Sequence, residues 1–212
     1  MKIYLVRHGE TDWNKAGRIQ GNSNIPLNEK GRKLAEITAE ALREMPFDRV
    51  FSSPLIRAYE TAEILSRGRG LEIVTDARIR EFSFGIAEGM PLSLLKKLPF
   101  SRVGTFFKHP ERYTKPAYGA ETVDMVTNRA AAFLREVLLP LEGSCGTVLV
   151  TAHGGVNRAI LNFISPRPRE EFWTAYPQRN CAVNLLELKS GVFTILETGI
   201  LYYKARRTAS PL

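Results

Sequence analysis

Four side chains of this sequence, two histidines and two arginines, are placed to do chemistry on an anion. Arg7 and His8 directly follow an apolar run of four residues, His153 follows a second apolar run, and Arg57 lies near the start of an amphipathic segment. Two guanidinium groups can clamp the non-bridging oxygens of a phosphate. A neutral imidazole can attack phosphorus and carry the phosphoryl group covalently. These residues therefore indicate phosphoryl transfer; the alternative is that each histidine is a satisfied core residue.

The elements that must position these side chains are three junctions between a strand and a helix. In a parallel sheet such junctions meet at one edge, where crevices form beyond the carboxyl ends of the strands. Helix N-termini supply free amide donors and the positive end of a dipole, and both favour phosphate. Gly154 and Gly155, which follow His153, would let the backbone approach a ligand closely. The pattern predicts that the two arginines and two histidines surround one anion.

Short apolar strands alternate with amphipathic helices, which predicts an α/β fold with a largely parallel sheet. The expected strands span residues 2–6, 49–52, 72–75, 147–151, 182–188 and 193–197. One expected helix begins after the N-cap Asn28 and runs to about residue 45, and a second begins at Ser53-Pro54 and runs to about residue 66. A third spans 121–139, where Pro140 should end it, and a fourth opens at about Val156.

Residues 90–120 fit this alternation least well, being rich in proline, glycine, aromatic and basic residues. Long irregular segments in compact domains are often lids or specificity loops. Several apolar residues argue that the segment packs on the core: Leu94, Leu95, Leu98, Phe106 and Phe107. We therefore predict one domain over residues 1–212, with a lid or specificity insertion at about 90–120. Its basic side chains could contact a second anionic group of a substrate.

The composition limits the classes of function. The 212 residues hold 30 Lys and Arg against 22 Asp and Glu, and this formal net charge of +8 suits an anionic partner. No apolar run approaches the ~20 residues of a membrane span, and the first run is too short for a signal peptide. We expect a cytoplasmic protein without a membrane partner, and only net charge favours nucleic acid. Cys145 and Cys181 have no disulfide or metal-ligand pattern and should be small buried residues.

A leaving alcohol needs a proton, and Glu81 is the first candidate for its donor. It follows the third expected strand and precedes the insertion. The neighbouring Phe82 and Phe84 predict an apolar environment, which would favour the protonated carboxyl. Glu88 is a competing candidate. From spacing alone, an exposed loop carboxylate remains the simpler interpretation.

Several segments form an ordered set of motifs that resembles the histidine phosphatase superfamily, also called phosphoglycerate mutase-like. The resemblance covers nearly the whole chain, least well in residues 90–120. The segments that carry it are Arg7-His8-Gly9-Glu10-Thr11 with Trp13-Asn14, Gly17-Arg18-Ile19-Gln20-Gly21, Pro26-Leu27-Asn28-Glu29-Lys30-Gly31, Ser52-Ser53-Pro54-Leu55 with Arg57-Ala58 and Thr61-Ala62, Glu81 with Gly85 and Glu88-Gly89, and His153-Gly154-Gly155.

The resemblance implies a three-layer α/β/α sandwich with a mostly parallel central sheet, and a phosphomonoesterase that uses neither a metal ion nor another cofactor. It implies that His8 is the phosphorylated nucleophile and that Glu81 protonates the leaving group and then activates water. The catalytic set it implies is Arg7, His8, Arg57, Glu81 and His153. The substrate-binding set is Thr11, Asn14, Gln20, Gly21 and Gly154, the last through its backbone amide.

The family divides into phosphatases and cofactor-dependent phosphoglycerate mutases. The mutases generally have an Arg-Arg pair in a longer insertion and a tyrosine three residues after the acid. Residues 90–120 of this chain contain no Arg-Arg pair, and Phe84 stands in place of the tyrosine. Gln20 stands where mutases usually have threonine, and Gly155 where they usually have asparagine. The Gly85…Glu88-Gly89 pattern is more similar to alpha-ribazole phosphatase and broad-specificity sugar phosphatases. These features favour a phosphatase.

We expect a small phosphorylated metabolite as substrate and a monomer or homodimer as the assembly. The sequence leaves three rival functions open. The chain could be a mutase that uses 2,3-bisphosphoglycerate, a metal hydrolase with His8 and His153 as ligands, or a non-catalytic module that binds phosphorylated ligands or proteins.

Overall fold

One mixed sheet forms the centre of the molecule in the computed structural model, which describes residues 1–97, 102–116 and 118–203. Its strands are β1 (Lys2–Arg7), β2 (Arg49–Ser52), β3 (Ile73–Thr75), β4 (Thr147–Ala152), β5 (Val183–Lys189) and β6 (Val192–Ile200). They lie in the order β3-β2-β4-β1-β5-β6. The first four strands run parallel, β5 runs antiparallel to β1, and β6 returns antiparallel to β5. The prediction of a largely parallel sheet is confirmed.

Helices cover both faces of this sheet. They are α1 (Asp12–Lys15), α2 (Glu29–Ala41), α3 (Ile56–Ser66), α4 (Leu92–Lys97), α5 (Arg102–Lys108), α6 (Val123–Phe133) and α7 (Gly154–Ile164). Successive strand side chains point to opposite faces. Leu5 accordingly packs in one cluster with Phe133 of α6 and Ile160 of α7, whereas Val6 packs in another with Leu65 of α3. The three-layer α/β/α arrangement is therefore confirmed.

Two helix starts at the site edge of the sheet differ from the prediction. The helix expected at Ser53-Pro54 begins instead at Ile56. Ser53, one residue beyond β2, is still bonded to the neighbouring strand, because its N–H donates to the Thr151 carbonyl (2.9 Å). The Ile56 N–H is capped from a distant loop by Asn24 Oδ1 (2.7 Å). The helix expected at about Val156 begins two residues earlier, at Gly154.

Other helix boundaries also differ from the prediction, and α6 begins at Val123 rather than at residue 121. Asn28 caps α2 as predicted, with Oδ1 accepting from Gly31 N–H (2.8 Å), but the helix ends at Ala41 rather than near residue 45. α6 ends as an α-helix at Phe133, and its continuation widens into a π-helical turn, Leu134–Leu138, and a 3-10 turn, Leu139–Leu141. Pro140 lies inside this 3-10 turn. Because proline has no N–H to donate, regular α-helical hydrogen bonding cannot continue through it.

The insertion packs on the core through aromatic side chains. Leu95 and Phe106 are buried as expected, but Leu94 is 49% exposed. The Trp173 indole donates to the Phe106 carbonyl (2.8 Å), which fastens α5 to the segment after α7. Leu98 lies outside the described residues, as do the other residues at 99–101 and 117.

Two further sequence predictions concern burial and membranes. Cys181 is buried as predicted, whereas Cys145 is only partly buried, and both thiols are free. In the part of the chain that the structure describes, the helices are too short or too polar to cross a bilayer.

Candidate active site

His8 lies directly beyond β1, with only 2% of its surface exposed. Its N–H continues the sheet by donating to the Ala152 carbonyl of β4 (3.0 Å). Its ring Nδ1 is 2.7 Å from the Gly9 carbonyl oxygen. A carbonyl oxygen can only accept, so Nδ1 carries the proton of the neutral ring and Nε2 carries the lone pair. The local backbone thereby selects the tautomer in which Nε2 can act as a nucleophile.

The surroundings of His8 also select its charge. Burial is the largest effect that holds the pKa of His8 well below its usual 6.5, and the cationic Arg57 and Arg7 add to it. An imidazolium has no lone pair available for attack. His8 is therefore neutral, and chemically competent as a nucleophile, at neutral pH.

His153 lies next to His8, and its free ring nitrogen is Nδ1 rather than Nε2. The residue is fully buried at the N-cap of α7, and its ring centroid lies 5.1 Å from that of His8. Its Nε2 lies 2.8 Å from the Ser53 hydroxyl, which can donate to it. Nδ1 then carries the proton, and it is buried without a hydrogen-bond partner in the described residues. Burial, Arg57 and His8 lower the pKa of His153 well below 6.5, so this ring is also neutral.

Arg7, the last residue of β1, is partly buried, and its guanidinium has a free edge. Its Nη1 donates to the Gln178 carbonyl, while Nε is buried and has no partner among the described atoms. A Cβ on Gly154 would lie 3.4 Å from Arg7 Nε. The first turn of α7 therefore lies beside this guanidinium at ordinary van der Waals distance.

Arg57, on the first turn of α3, is fully buried. Nη2 donates to the Gly21 carbonyl (2.7 Å) and Nη1 to the Ser23 carbonyl (2.8 Å), but the buried Nε has no partner in the described structure. Burial lowers the pKa of Arg57 to about 10, which leaves it cationic at neutral pH. Two cations thus stand beside the two neutral imidazoles.

Glu81 binds the N-terminus of α7 with its carboxylate. Oε2 accepts from Gly155 N–H (3.0 Å), and Oε1 accepts from Val156 N–H (3.1 Å) and from its neighbour Phe82 N–H (3.0 Å). The apolar environment expected from the phenylalanines is therefore incomplete, because three backbone donors meet the carboxylate. Glu81 also interacts electrostatically with Arg7 and Arg57, which places it beside the two arginines of the site.

The predicted substrate-binding residues form a second group at this edge. Thr11 caps α1, and its hydroxyl lies 3.1 Å from Asn14 N and 2.9 Å from Gln20 Oε1. Asn14 Oδ1 accepts from Thr11 N–H and from Asn180 Nδ2 (both 3.2 Å). These bonds leave Asn14 Nδ2 without a protein partner among the described residues. The interactions of Gln20 with substrate, like those of the other members of this group, stay a prediction.

Comparison with known proteins decides the family. Residues 3–200 match the model of the histidine phosphatase superfamily (branch 1).

The chain belongs to the histidine phosphatase superfamily.

It is 36% identical over 164 residues to the uncharacterized phosphatase PhoE of Bacillus subtilis, an alignment that covers 77% of each chain. It is 32% identical over 192 residues to phosphoglycerate mutase-like protein 4 of Arabidopsis thaliana, which covers 90% of this chain and 80% of the relative. The solved structure of YhfR from Bacillus stearothermophilus superposes with a TM-score of 0.86 at 30% identity, over 95% of this chain and 98% of that one. The chain is accordingly a phosphomonoesterase of the histidine phosphatase type.

This histidine phosphatase places additional residues at the site that sequence reasoning missed. Asn180 Nδ2 lies 3.1 Å from the His8 carbonyl and 3.0 Å from the Gly9 carbonyl, and it also reaches Asn14. Asn180 lies three residues before β5, whose antiparallel direction brings its N-terminal end to the site. A search limited to the carboxyl ends of strands could not have found it.

Two arginines of the histidine phosphatase were also missed. Arg158 of α7 is 8% exposed, donates to the Gly154 carbonyl (3.2 Å), and interacts electrostatically with Arg7 and Glu81. Arg129 of α6 donates to the Glu81 carbonyl (3.0 Å) and pairs with Glu121. Each lies within a helix, where an arginine is usually an ordinary surface residue. Its contacts with the site are therefore visible only in the folded structure.

The two imidazoles are not part of a metal-ligand cluster within the described residues. No group of three His, Cys, Asp or Glu side chains lies close enough to hold a metal ion in the described parts of the chain. The nitrogen atoms of His8 and His153 are instead directed by Gly9 and Ser53.

Proposed function

We propose that this histidine phosphatase hydrolyses phosphomonoesters through a covalent phosphohistidine on His8 Nε2. The observation that carries the proposal is the 2.7 Å bond between His8 Nδ1 and the Gly9 carbonyl, because it fixes the nucleophilic tautomer. The low pKa of His8 supports it, since the ring is neutral without help from a separate base. A positioned, neutral imidazole needs only an anchored phosphate in line with it.

The proposed anchor uses the unpartnered donors of the site. Arg7 Nε, Arg57 Nε and His153 Nδ1 are buried without hydrogen-bond partners in the described structure. Phosphate oxygens would accept from all three, and Asn14 Nδ2 and the first amide of α7, that of Gly154, would complete the set. The two cations balance the charge of a phosphate dianion.

The proposed reaction has two steps. In the first, the Nε2–P bond of His8 forms as the ester P–O bond breaks, and the leaving oxygen takes a proton from Glu81. In the second, a water molecule gives a proton back to Glu81 and attacks phosphorus, the N–P bond breaks, and inorganic phosphate leaves. Glu81 enters the first step carrying the proton that it donates, and the second step returns one to it.

The depth of the nucleophile supports a small substrate. His8 is 2% exposed, so a terminal phosphate on a small metabolite can reach it more easily than an internal phosphodiester. We therefore propose a small phosphorylated metabolite as substrate and no role for nucleic acid. We also propose a cytoplasmic location, a monomer or homodimer as the assembly, and no metal ion or cofactor.

The proposed single domain has its specificity insertion at residues 90–120. Its first residues are tied to the loop after α1, because Ile19 N–H donates to the Met90 carbonyl (3.0 Å) and Leu92 N–H to the Gly17 carbonyl (2.9 Å). That loop leads directly into Gly21 and Ser23, whose carbonyls hold Arg57. An insertion anchored so close to the phosphate site is placed to contact the remainder of a substrate.

Trapping the covalent intermediate tests the proposal. Enzyme mixed with a phosphate-labelled monoester and quenched rapidly in alkali should retain label that acid releases, since phosphohistidine is stable to alkali and labile to acid. His8→Ala should retain none. The third histidine of the chain, His109, is exposed and pairs with Glu111, so His109→Ala is the matched control and should label like the wild type. Turnover without any trapped label in the wild type would argue against the covalent route.

The strongest rival function is that of a phosphoglycerate mutase that uses 2,3-bisphosphoglycerate. One observation favours the phosphatase: a Cβ on Gly155 would lie 2.6 Å from both Glu81 Oε1 and Phe82 Cδ2, so the asparagine of the mutases does not fit here without movement. Incubation with 3-phosphoglycerate and bisphosphoglycerate separates the two functions. Free phosphate should accumulate; rapid isomerisation with little free phosphate would establish the mutase.

The metal hydrolase and the binding module each have a direct test. A metal hydrolase would lose activity in EDTA, whereas the proposed enzyme should keep its full rate. A non-catalytic binding module would show no turnover on any phosphomonoester, and His8→Ala would bind phosphorylated ligands as well as the wild type does.

A further inference from the structure

The orientation of Arg57 depends on a loop without regular secondary structure. Both Nη atoms bind carbonyl oxygens of that loop, those of Gly21 (2.7 Å) and Ser23 (2.8 Å). The remaining donor, Nε, is the buried atom without a protein partner in the described structure. The direction of Nε therefore follows from the position of the two loop carbonyls.

Glu88 holds the same loop from the opposite side. Its Oε1 accepts from Asn22 N–H (3.0 Å), and its Oε2 accepts from the Ser23 hydroxyl (2.7 Å). Gly21 leaves room for this carboxylate, since a Cβ there would lie 2.2 Å from Glu88 Oε1 and the residue has φ +54°. The loop is thus fixed between one carboxylate and one guanidinium.

The carboxylate also ties this loop to the segment that carries Glu81. Its Oε1 accepts from Phe84 N–H (3.1 Å), three residues after Glu81. Both oxygens of Glu88 are therefore bonded within the protein, to the 21–23 loop and to the segment that follows Glu81. Burial lowers the pKa of Arg57, and the negative charge of Glu88 acts in the opposite direction by favouring the cationic guanidinium.

We propose that Glu88 is a positioning residue, which aims Arg57 at the phosphate by fixing the 21–23 loop and does not itself contact substrate. The inference rests on the proposed function in one respect: Arg57 must bind phosphate. It goes beyond that function because it assigns a role to a carboxylate that sequence reasoning could regard only as a rival proton donor.

The test compares two variants that separate geometry from charge. Glu88→Gln can keep all three bonds, because its carbonyl can accept from Asn22 and Phe84 while its amide donates to the Ser23 hydroxyl. Glu88→Ala loses all three. The readout is the dissociation constant of inorganic phosphate, measured by calorimetry, which needs no turnover and so stays informative even if the proposed catalytic route is wrong.

We expect Glu88→Ala to weaken phosphate binding about ten-fold, within the range of a charge-assisted hydrogen bond. Glu88→Gln should weaken it by no more than about three-fold. Ile86→Ala is the matched control on the same turn, because that side chain is 70% exposed, and its phosphate affinity should equal that of the wild type.

A double-mutant cycle with Arg57→Ala then identifies the route of the effect. In the Arg57→Ala background, Glu88→Ala should change phosphate affinity by less than about two-fold, because the residue that it positions is gone. An equal loss in both backgrounds, or wild-type affinity in Glu88→Ala, would overturn the proposal. A Glu88→Gln variant as impaired as Glu88→Ala would overturn it too, since geometry would then not be what matters.

A milder variant covers the case in which Glu88→Ala does not fold. Ser23→Ala removes one anchor of the loop but keeps the backbone carbonyl that binds Arg57. We expect it to weaken phosphate binding about two- to three-fold in the wild type and to have no effect in Arg57→Ala. The same loss in both backgrounds would contradict the proposed coupling.

Discussion

The imidazole rings of His8 and His153 lie 5.1 Å apart, centroid to centroid, with their planes inclined by 59°. Each ring is oriented by a different hydrogen bond, that of His8 through Nδ1 to Gly9 and that of His153 through Nε2 to Ser53. The rings therefore offer opposite nitrogen atoms to their surroundings: a lone pair on one and an N–H on the other. This pairing suits a nucleophile beside a hydrogen-bond donor.

The first prediction concerns the pH dependence of activity. His8 must be neutral to attack, and burial together with Arg57 and Arg7 holds its pKa well below 6.5. We expect kcat/KM to fall only below pH 6.5 on the acid side, after correction for the titration of the phosphomonoester near pH 6. A profile of kcat/KM from pH 4 to 8 checks this. An acid limb centred above pH 6.5 would contradict the structure.

The second prediction concerns stability. The folded-state pKa values of His8 and His153 lie below the unfolded value of about 6.5. Between the folded and unfolded values the unfolded chain binds more protons, so the free energy of unfolding should rise with pH across that window and fall as pH decreases below about 6.5. Urea unfolding from pH 5 to 8 measures this. The slope should diminish in a His8→Ala/His153→Ala double variant and persist in His109→Ala.

The third prediction concerns the leaving group. If Glu81 donates the proton, Glu81→Ala should lower kcat/KM for an alkyl phosphate by about 10²–10⁴-fold. The loss should be much smaller for p-nitrophenyl phosphate, whose leaving phenolate needs little protonation. Equal losses for the two substrates would show that Glu81 acts mainly by holding the start of α7.

The fourth prediction compares two adjacent glycines. Gly155→Ala would place a methyl group 2.6 Å from Glu81 Oε1, whereas Gly154→Ala meets its nearest atoms at 3.4 Å or more. We expect Gly155→Ala to lower kcat at least about ten-fold and to destabilise the fold by about 1–3 kcal/mol. Gly154→Ala should stay within about three-fold of the wild-type kcat. Steady-state kinetics and thermal unfolding of the pair would show whether the difference exists.

The fifth prediction concerns Arg129, which supports the segment before Glu81. Its guanidinium donates to the carbonyls of Arg78 and Arg80 (both 2.7 Å) and of Glu81 (3.0 Å), and it pairs with Glu121 (2.9 Å). Arg129→Ala would leave these acceptors unsatisfied, so we expect a loss of about 2–3 kcal/mol in urea unfolding. Arg135→Ala, an exposed position on the same helical segment, should change stability by less than about 1 kcal/mol.

Much of the site could be predicted because its residues adjoin strong local signals. The apolar runs before His8 and His153 predict β1 and β4. Because the carboxyl ends of parallel strands meet at one edge of the sheet, both histidines are then expected at that edge. What the sequence could not supply were partners distant along the chain. The cap of α3 comes from Asn24, and the donors to Glu81 come from α7. Such contacts exist only after the chain has folded.

The antiparallel strand explains the main omission. The sequence indicated a largely parallel sheet, and strand direction is weakly encoded in a short apolar run. Once β5 runs antiparallel to β1, the residues before it arrive at the site, and Gln178 and Asn180 bind Arg7 and His8. Where the direction of a strand is not predicted, the residues before it cannot be assigned to either edge of the sheet.

Cys181 lies beside the site as a fully buried free thiol. Its backbone N–H donates to the Arg7 carbonyl (3.0 Å), yet burial raises the pKa of its thiol to about 12. Oxidants and alkylating agents attack the thiolate rather than the thiol. The enzyme uses an imidazole as its proposed nucleophile, and the neighbouring thiol stays protonated. It should therefore keep its activity at peroxide concentrations that inactivate an enzyme with a cysteine nucleophile.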